Sequence, residues 1–83
     1  MYHVYVIQSN RGLIYTGQTD NLDHRLKQHN QGRSNWTSQD TNWKIVYTKD
    51  FKTRTDAIKF ERWLKTGAGR DFLKEFGQIP MAG

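Results

Sequence analysis

The 83-residue sequence has no cysteine and only one proline. Without cysteine, neither a disulfide nor a thiolate metal site can stabilise the fold. The longest apolar run covers residues 4–7, which is far too short to cross a membrane or to form the core of a signal peptide. The length fits one domain, and we expect that domain to be cytoplasmic.

Acidic residues are also fewer than basic ones. The chain has 13 Lys and Arg against 8 Asp and Glu, which gives a formal net charge of +5 and a sequence pI of about 9.8. A basic surface on a small domain favours a polyanionic partner, most often nucleic acid. Aromatic residues are plentiful, with three Trp, four Tyr and four Phe. They can fill a small core or line a binding face, and composition does not distinguish the two.

The hydrophobic pattern predicts an α+β domain, a three-stranded antiparallel sheet flanked by helices in the order β-β-α-β-α-α. Alternating β-branched and aromatic residues indicate the strands, and capping residues and glycines mark the helix ends. We expect strands at 2–8, 13–17 and 43–50, and helices at about 21–31, 54–66 and 70–76. Residues 1–77 are expected to form the domain, with 78–83 as a flexible tail.

Glu61 falls inside the apolar stripe that Ala57 and Leu64 mark along the second predicted helix. A lone buried carboxylate is costly, so Glu61 is expected to have a partner or to lie at a partly exposed site. The alternative is a structural ion pair with Arg62 or Lys65, or an edge position in water. Periodicity alone favours that alternative.

Arg25 and His29 lie four residues apart, on one face of the first predicted helix. An arginine can hold a phosphate in bidentate geometry and offset negative charge that grows in a transition state. A nearby histidine can move a proton near neutral pH. Such residues are also common on solvated helix faces, so the pair alone is weak evidence.

Tyr5 and Tyr15 are expected to lie roughly opposite each other in the first hairpin, if its turn centres near Asn10. Strand tyrosines usually pack in the core, and that interpretation is preferred without other information. As chemistry, a phenol can orient or deprotonate a water when a nearby cation lowers its pKa. Gly17 leaves space for a backbone or a phosphate to approach closely.

The order and spacing of these residues resemble the GIY-YIG nuclease superfamily, in particular its small single-domain bacterial members. His3-Val4-Tyr5 and Tyr15-Thr16-Gly17 resemble the two halves of the motif that gives the superfamily its name. Residues 17–30 resemble the turn that follows and the helix that carries an arginine and then a histidine. Later segments also match, at 43–47, 57–64 and 66–70. The resemblance covers nearly the whole chain.

The resemblance implies roles for five side chains in the hydrolysis of a phosphodiester bond in DNA. Glu61 would be the single carboxylate ligand of a divalent cation, Mg²⁺ or Mn²⁺, and Arg25 would contact the scissile phosphate. Tyr5 would act on the attacking water, Tyr15 would help to position that water or the phosphate, and His29 would assist proton transfer.

The implied partner is DNA, which we expect to be contacted by Arg25, Lys27, Arg33 and Arg70. Branched or damaged DNA is the expected substrate, with a role in repair. The choice of target would come from a protein partner or from the structure of the DNA, or it would be weak. Two departures support an alternative, a protein that holds nucleic acid without cutting it. The first half-motif is loose, and Glu75 stands about where many members carry an asparagine. A third option, a subunit that binds an acidic protein, has no specific sequence feature behind it.

Overall fold

The computed structural model describes residues 1–32, 36–40 and 42–74. Within these residues the sheet has three antiparallel strands in the order β2-β1-β3, so the N-terminal strand is central. The elements in chain order are β1 Tyr2–Gln8, β2 Ile14–Thr19, α1 Leu22–Asn30, a 3₁₀ turn Thr37–Gln39, β3 Lys44–Phe51, α2 Arg54–Leu64 and α3 Gly67–Lys74. The predicted α+β architecture and element order are confirmed. Arg33, Glu75 and the tail 78–83 lie outside the described residues.

The central strand β1 is buried on both sides because helices cover both faces of the sheet. On one face, Val4 and Val6 pack with residues of α2 and α3, and we call this cluster the α2–α3 core. On the other face, Tyr5 and Ile7 pack with Trp43 and with the leucines of α1, and we call this cluster the α1 core. Alternate residues of one strand therefore enter two separate cores, which places Tyr5 on the α1 side.

A β-bulge in β3 changes which side chains of that strand face each core. The pairing of β1 with β3 shifts between Val6 and Ile7, which leaves Val46 as an extra residue. Tyr47 packs in the α2–α3 core, whereas Trp43 belongs to the α1 core. Strict alternation along the predicted strand 43–50 would place Trp43 and Tyr47 on one face, and the bulge makes that expectation wrong.

The first hairpin has a different register from the predicted one. Tyr5 pairs with Gly17, so Tyr15 lies diagonal to Tyr5 and not opposite it. The turn centres one residue later than expected, since Gly12 takes a left-handed φ of 88° and its N–H donates to the Ser9 carbonyl at 3.0 Å. Moving the centre of a hairpin by one residue shifts every pairing by two.

Side-chain caps begin the first two helices as predicted. Asn21 accepts a hydrogen bond from the backbone of His24, and Thr53 accepts one from the backbone of Asp56. Helix α2 ends slightly before its predicted end, and α3 begins three residues earlier than expected. Among the described residues, no helix combines the length and apolar character that a membrane span requires.

Gly69 lies inside α3, where the sequence predicted a break. A Cβ at this position would lie 2.2 Å from the carbonyl oxygen of Trp63 and 2.4 Å from Cα of Leu64. The glycine therefore permits α3 to pack directly against the backbone at the end of α2. At Gly67, the first residue of α3, an added Cβ would meet nothing within 4 Å.

We predict that Gly69→Ala destabilises the protein by about 2 kcal/mol or more, because the added methyl group has to push two backbones apart. Gly67→Ala is the matched control and should leave stability unchanged or slightly higher, since alanine favours a helix. Urea unfolding followed by circular dichroism measures both. Equal unfolding midpoints for the two variants would show that the close contact has no energetic weight.

Candidate active site

Three buried polar side chains from separate elements form a continuous chain of hydrogen bonds, here called the buried relay: Tyr5, His29 and Thr37. The Tyr5 Oη lies 2.8 Å from Nε2 of His29, and Nδ1 of His29 lies 2.6 Å from Oγ1 of Thr37. Tyr5 is 1% exposed, and the other two are fully buried. The relay thus joins β1 to α1, and α1 to the 3₁₀ turn.

Burial keeps the relay uncharged near neutral pH. Desolvation, followed by the positive charge of Arg25, lowers the pKa of His29 from 6.5 to about 4. Desolvation, followed by the neighbouring Tyr15, raises the pKa of Tyr5 from 10.0 to about 12. The resting site therefore contains a neutral imidazole beside a neutral phenol.

Arg25 lies beside the Tyr5 phenol. Its positive charge and its hydrogen bonding act to lower the pKa of Tyr5, and its Nη1 donates to Oε1 of Gln28 at 3.0 Å. A neutral imidazole has one donor and one acceptor, so the tautomer of His29 sets the direction of the relay. With the proton on Nδ1, the phenol O–H donates to Nε2 and Nδ1–H donates to Thr37. With the proton on Nε2, both hydrogen bonds reverse.

Tyr15 completes an aromatic group around the imidazole. Its ring centroid lies 4.9 Å from that of His29 and 6.2 Å from that of Tyr5. Gly17 makes this arrangement possible, since a Cβ there would lie 2.8 Å from the Tyr5 Oη and 2.9 Å from Cε2 of Tyr15. The space expected to admit a backbone or a phosphate is filled by the two tyrosine rings.

Glu61 lies on α2. Its side chain is 19% exposed and forms a 2.7 Å ion pair with Nζ of Lys65, one helical turn further on. Its negative charge makes the smallest of the contributions that shift the pKa of Tyr5. The ion pair with Lys65 is the alternative that periodicity favours, and the role of metal ligand stays a prediction.

The structure brings four of the predicted site residues together, Tyr5, Tyr15, Arg25 and His29, and the charge of the fifth, Glu61 on α2, acts on the Tyr5 phenol. Of the other predicted nucleic-acid contacts, Lys27 and Arg70 are exposed on α1 and α3, and Arg33 is outside the described residues. Within the described ranges, no three His, Cys, Asp or Glu side chains cluster as a metal ligand set.

Sequence reasoning missed Thr37, which is a member of the relay, and its neighbour Trp36. Both fall in residues 33–42, which show no hydrophobic period and lie between the first predicted helix and the third predicted strand. Trp36 stacks on Tyr15, with centroids 6.1 Å apart and ring planes 28° apart. The one available signal was a lone Trp in an otherwise polar segment, which is unusual unless the ring packs or binds.

We predict that acid destabilises the protein through His29. Its folded pKa of about 4 lies below the ordinary 6.5, so between these values the unfolded chain binds more protons and stability falls as the pH falls. The contribution is up to about 3 kcal/mol. Urea unfolding across this pH range gives the free energy of unfolding at each pH. That free energy should depend less steeply on pH for His29→Gln than for the unaltered protein.

His24→Gln is the matched control for that measurement, because His24 is exposed on the same helix. Its stability should follow the same pH slope as the unaltered protein. If the free energy of unfolding of His29→Gln depends on pH as steeply as that of the unaltered protein, His29 is not the source of the acid sensitivity.

Comparison with known proteins identifies the family of the chain. The family model for the GIY-YIG catalytic domain matches residues 1–71. A UPF0213 protein of Oceanobacillus iheyensis is 31% identical over 65 residues, which cover 77% of this chain and 76% of that protein. A UPF0213 protein of Halobacterium salinarum is 33% identical over 66 residues, which cover 78% and 86%.

A solved structure shows the same fold. The solution NMR structure of a UPF0213 protein from Bacillus halodurans is similar with a TM-score of 0.56 and 26% sequence identity, over 96% of this chain and 89% of that one. The match to the family model spans both tyrosines, the first helix and Glu61. The chain therefore belongs to the GIY-YIG family, whose catalytic domains are of the nuclease type.

Proposed function

We propose that this protein is a divalent-metal-dependent endonuclease that hydrolyses phosphodiester bonds in DNA. The observation that carries the proposal is the meeting of Tyr5, Arg25 and His29 at one buried site on which the charge of Glu61 also acts. These residues come from three separate elements. A phenol linked to an imidazole, a guanidinium and a carboxylate supply a proton path, a phosphate contact and a metal ligand. The net charge of +5 supports a nucleic-acid substrate.

Tyr5 and His29 would act together on the attacking water. A phenol with a pKa of about 12 keeps its proton near neutral pH, so it must lose that proton as it takes one from water. Nε2 of His29 is the acceptor, 2.8 Å away. The water proton passes to the Tyr5 oxygen, the phenol proton passes to Nε2, and the hydroxide oxygen attacks phosphorus.

The negative charge of a bound phosphate would raise the low pKa of His29. The pKa of about 4 reflects burial and the charge of Arg25. A bound phosphate would offset that charge and favour the imidazolium. Thr37 accepts from Nδ1 at 2.6 Å and stabilises the protonated ring in the same position. The bond between phosphorus and the leaving oxygen breaks, and that oxygen takes a proton from solvent. His29 then passes its proton to Tyr5 while Tyr5 releases its own to solvent, which restores the neutral relay.

Arg25 would hold the scissile phosphate and share its growing negative charge. Hydrogen bonds to Gln28 and Tyr5 already fix the guanidinium, so less freedom is lost when the phosphate binds. Tyr15, beside the imidazole, would help to position the water or the phosphate. Contacts with the DNA phosphates that do not depend on base sequence would come from Lys27, Arg33 and Arg70.

Glu61 would be the protein ligand of the metal. Mg²⁺ and Mn²⁺ accept carboxylate, water and phosphate oxygens, and Mg²⁺ often takes only one or two protein carboxylates. A single partly buried glutamate fits that donor set, whereas a zinc site would need more protein ligands than the described residues cluster together. When bound, the cation polarises the phosphate and stabilises the leaving oxygen. Lys65, at 2.7 Å, has to release Glu61 for this to happen.

The setting that we propose is the repair of branched or damaged DNA in the cytoplasm, with a protein partner that assists targeting. This part of the proposal extends the family resemblance and the basic charge. Purified protein should be incubated with flap, junction and nicked DNA, each with and without Mg²⁺. Cleavage that needs the cation and prefers one of these structures over blunt duplex is the expected result.

We predict that Glu61→Ala lowers metal-dependent cleavage by at least about 100-fold, because the cation loses its protein ligand. DNA binding measured in EDTA should be unchanged or stronger, since a negative charge has been removed. Asp71→Ala is the matched control, because Asp71 also forms an ion pair with a lysine but on α3. Full cleavage by Glu61→Ala would refute the assigned role.

The second candidate function is nucleic-acid binding without catalysis. Two observations favour it, the ion pair that occupies Glu61 and the neutral relay, in which neither partner is a strong acid or base. It predicts salt-sensitive DNA binding with no cleavage on any substrate.

Arg25→Ala tests this second candidate. If the protein only binds, the variant should bind DNA more weakly and show a smaller dependence of affinity on salt, by about one phosphate contact. The unaltered protein should then remain inactive with Mg²⁺ and Mn²⁺. Any metal-dependent cleavage by the unaltered protein would exclude this candidate.

A further inference from the structure

Trp36 is the most exposed of the three tryptophans. Its residue is 47% exposed, compared with 2% for Trp43 and 40% for Trp63. Exposing an indole forgoes the free energy that burial of a large apolar surface provides. An exposed ring of this kind is common at binding surfaces, where a partner covers it.

One face of the Trp36 ring is already covered. Tyr15 stacks on it with a centroid distance of 6.1 Å and an interplanar angle of 28°. Trp43 approaches at 6.1 Å with a tilt of 49°. Beside these two contacts, 47% of the residue stays exposed, so part of the indole is accessible to a partner.

The ring is held in place before any partner binds. Trp36 is the residue that begins the 3₁₀ turn, and the next residue, Thr37, is fully buried in the relay. The indole N–H of Trp43 donates to the carbonyl of Thr37 at 3.1 Å, which fixes the turn from the other side. A ring held in this way loses little freedom on binding, which favours affinity.

The position of Trp36 connects it to the chemistry. Tyr15, on which it stacks, lies 4.9 Å from His29 between ring centroids, and Nε2 of His29 contacts the Tyr5 phenol. Trp36 is thus one aromatic ring removed from the imidazole of the relay. A group that covers Trp36 would be a close neighbour of a phosphate bound there.

We propose that the exposed face of Trp36 stacks against an unpaired nucleobase beside the scissile phosphate. The substrate class is therefore DNA with unpaired nucleotides at the cleavage site, such as a flap or a single strand. The inference rests on the proposed function and narrows its substrate. Bases inside a duplex stack on each other and offer only their edges, whereas an unpaired base offers a flat face to an aromatic side chain.

Charge favours this occupant over an apolar protein surface. The chain carries a net charge of +5, and the partly buried guanidinium of Arg25 lies in the same site. Single-strand binding sites combine aromatic rings with positive charge in this manner. Trp63 provides a contrast, because it packs on Phe60 and Phe72 beside the α2–α3 core.

The test measures DNA binding in EDTA by fluorescence anisotropy, with flap, single-stranded and blunt duplex oligonucleotides. Trp36→Leu should weaken binding to the flap and the single strand by roughly tenfold, since one base loses its stacking partner. Binding to the blunt duplex should change by less than about twofold, because phosphate contacts dominate there. Trp63→Leu, the matched control, should leave all three affinities unchanged.

A second measurement uses the unaltered protein and does not depend on how the variant folds. The fluorescent base 2-aminopurine is placed at successive positions across the flap junction, where stacking on an indole quenches it. Quenching confined to one or two unpaired positions, lost in Trp36→Leu and retained in Trp36→Tyr, is the expected result. Equal quenching at paired and unpaired positions, or none at all, would overturn the proposal.

The two proposals fail separately in these experiments. Position-specific quenching by a protein that cuts no DNA with any divalent cation would sink the hydrolysis proposal and leave the stacking proposal standing. If the unaltered protein cleaves DNA with a divalent cation and Trp36→Leu binds the flap as tightly as the unaltered protein, the hydrolysis proposal stands and the stacking proposal is rejected. Loss of flap affinity in both Trp36→Leu and Trp63→Leu would also reject stacking at Trp36.

Discussion

The hydrogen bond between Tyr5 and His29 is the contact on which the rest of the site depends. Both side chains are essentially excluded from water, and a buried polar group left without a partner costs about 1–3 kcal/mol. The 2.8 Å contact joins the central strand to α1, and the 2.6 Å contact with Thr37 extends it to the 3₁₀ turn. Stability and the proposed proton path therefore use the same atoms.

The two faces of the sheet differ in the polarity of the side chains that they bury. The α2–α3 core consists of apolar groups around Val4 and Val6, and it can serve stability alone. The α1 core places a phenol and an imidazole where an ordinary core would have hydrocarbon. Adjacent residues of β1 thus enter different cores. Tyr5 brings the phenol of the proposed site to a position that an ordinary core would fill with hydrocarbon.

Local sequence patterns were sufficient for the strands and helices of the fold. The caps at Asn21 and Thr53 and the buried run of β1 depend on neighbours within a few positions, so periodicity and residue type reveal them. The family resemblance then related Arg25 and Glu61 to the hairpin tyrosines, which are far away in sequence.

The features that the sequence did not reveal depend on contacts between distant residues. The hairpin register changed with the position of one turn, and the bulge at Val46 reversed the facing of the strand beyond it. Thr37 contacts a histidine eight residues earlier, from a segment with no hydrophobic period. A short irregular segment acquires its role only from the surface against which it packs, so composition could not identify Thr37 or Trp36.

Gly17 has a consequence for how activity and structure are lost. It lies on β2, an outer strand of the sheet, and its single hydrogen atom leaves the gap in which the two phenol rings meet. Outer strands open locally more easily than central ones. Local separation of β2 would release the ring of Tyr15 and widen the surroundings of the imidazole while β1 stayed in place. The site to which we assign the proposed catalysis would then be disturbed at conditions milder than those that unfold the molecule as a whole.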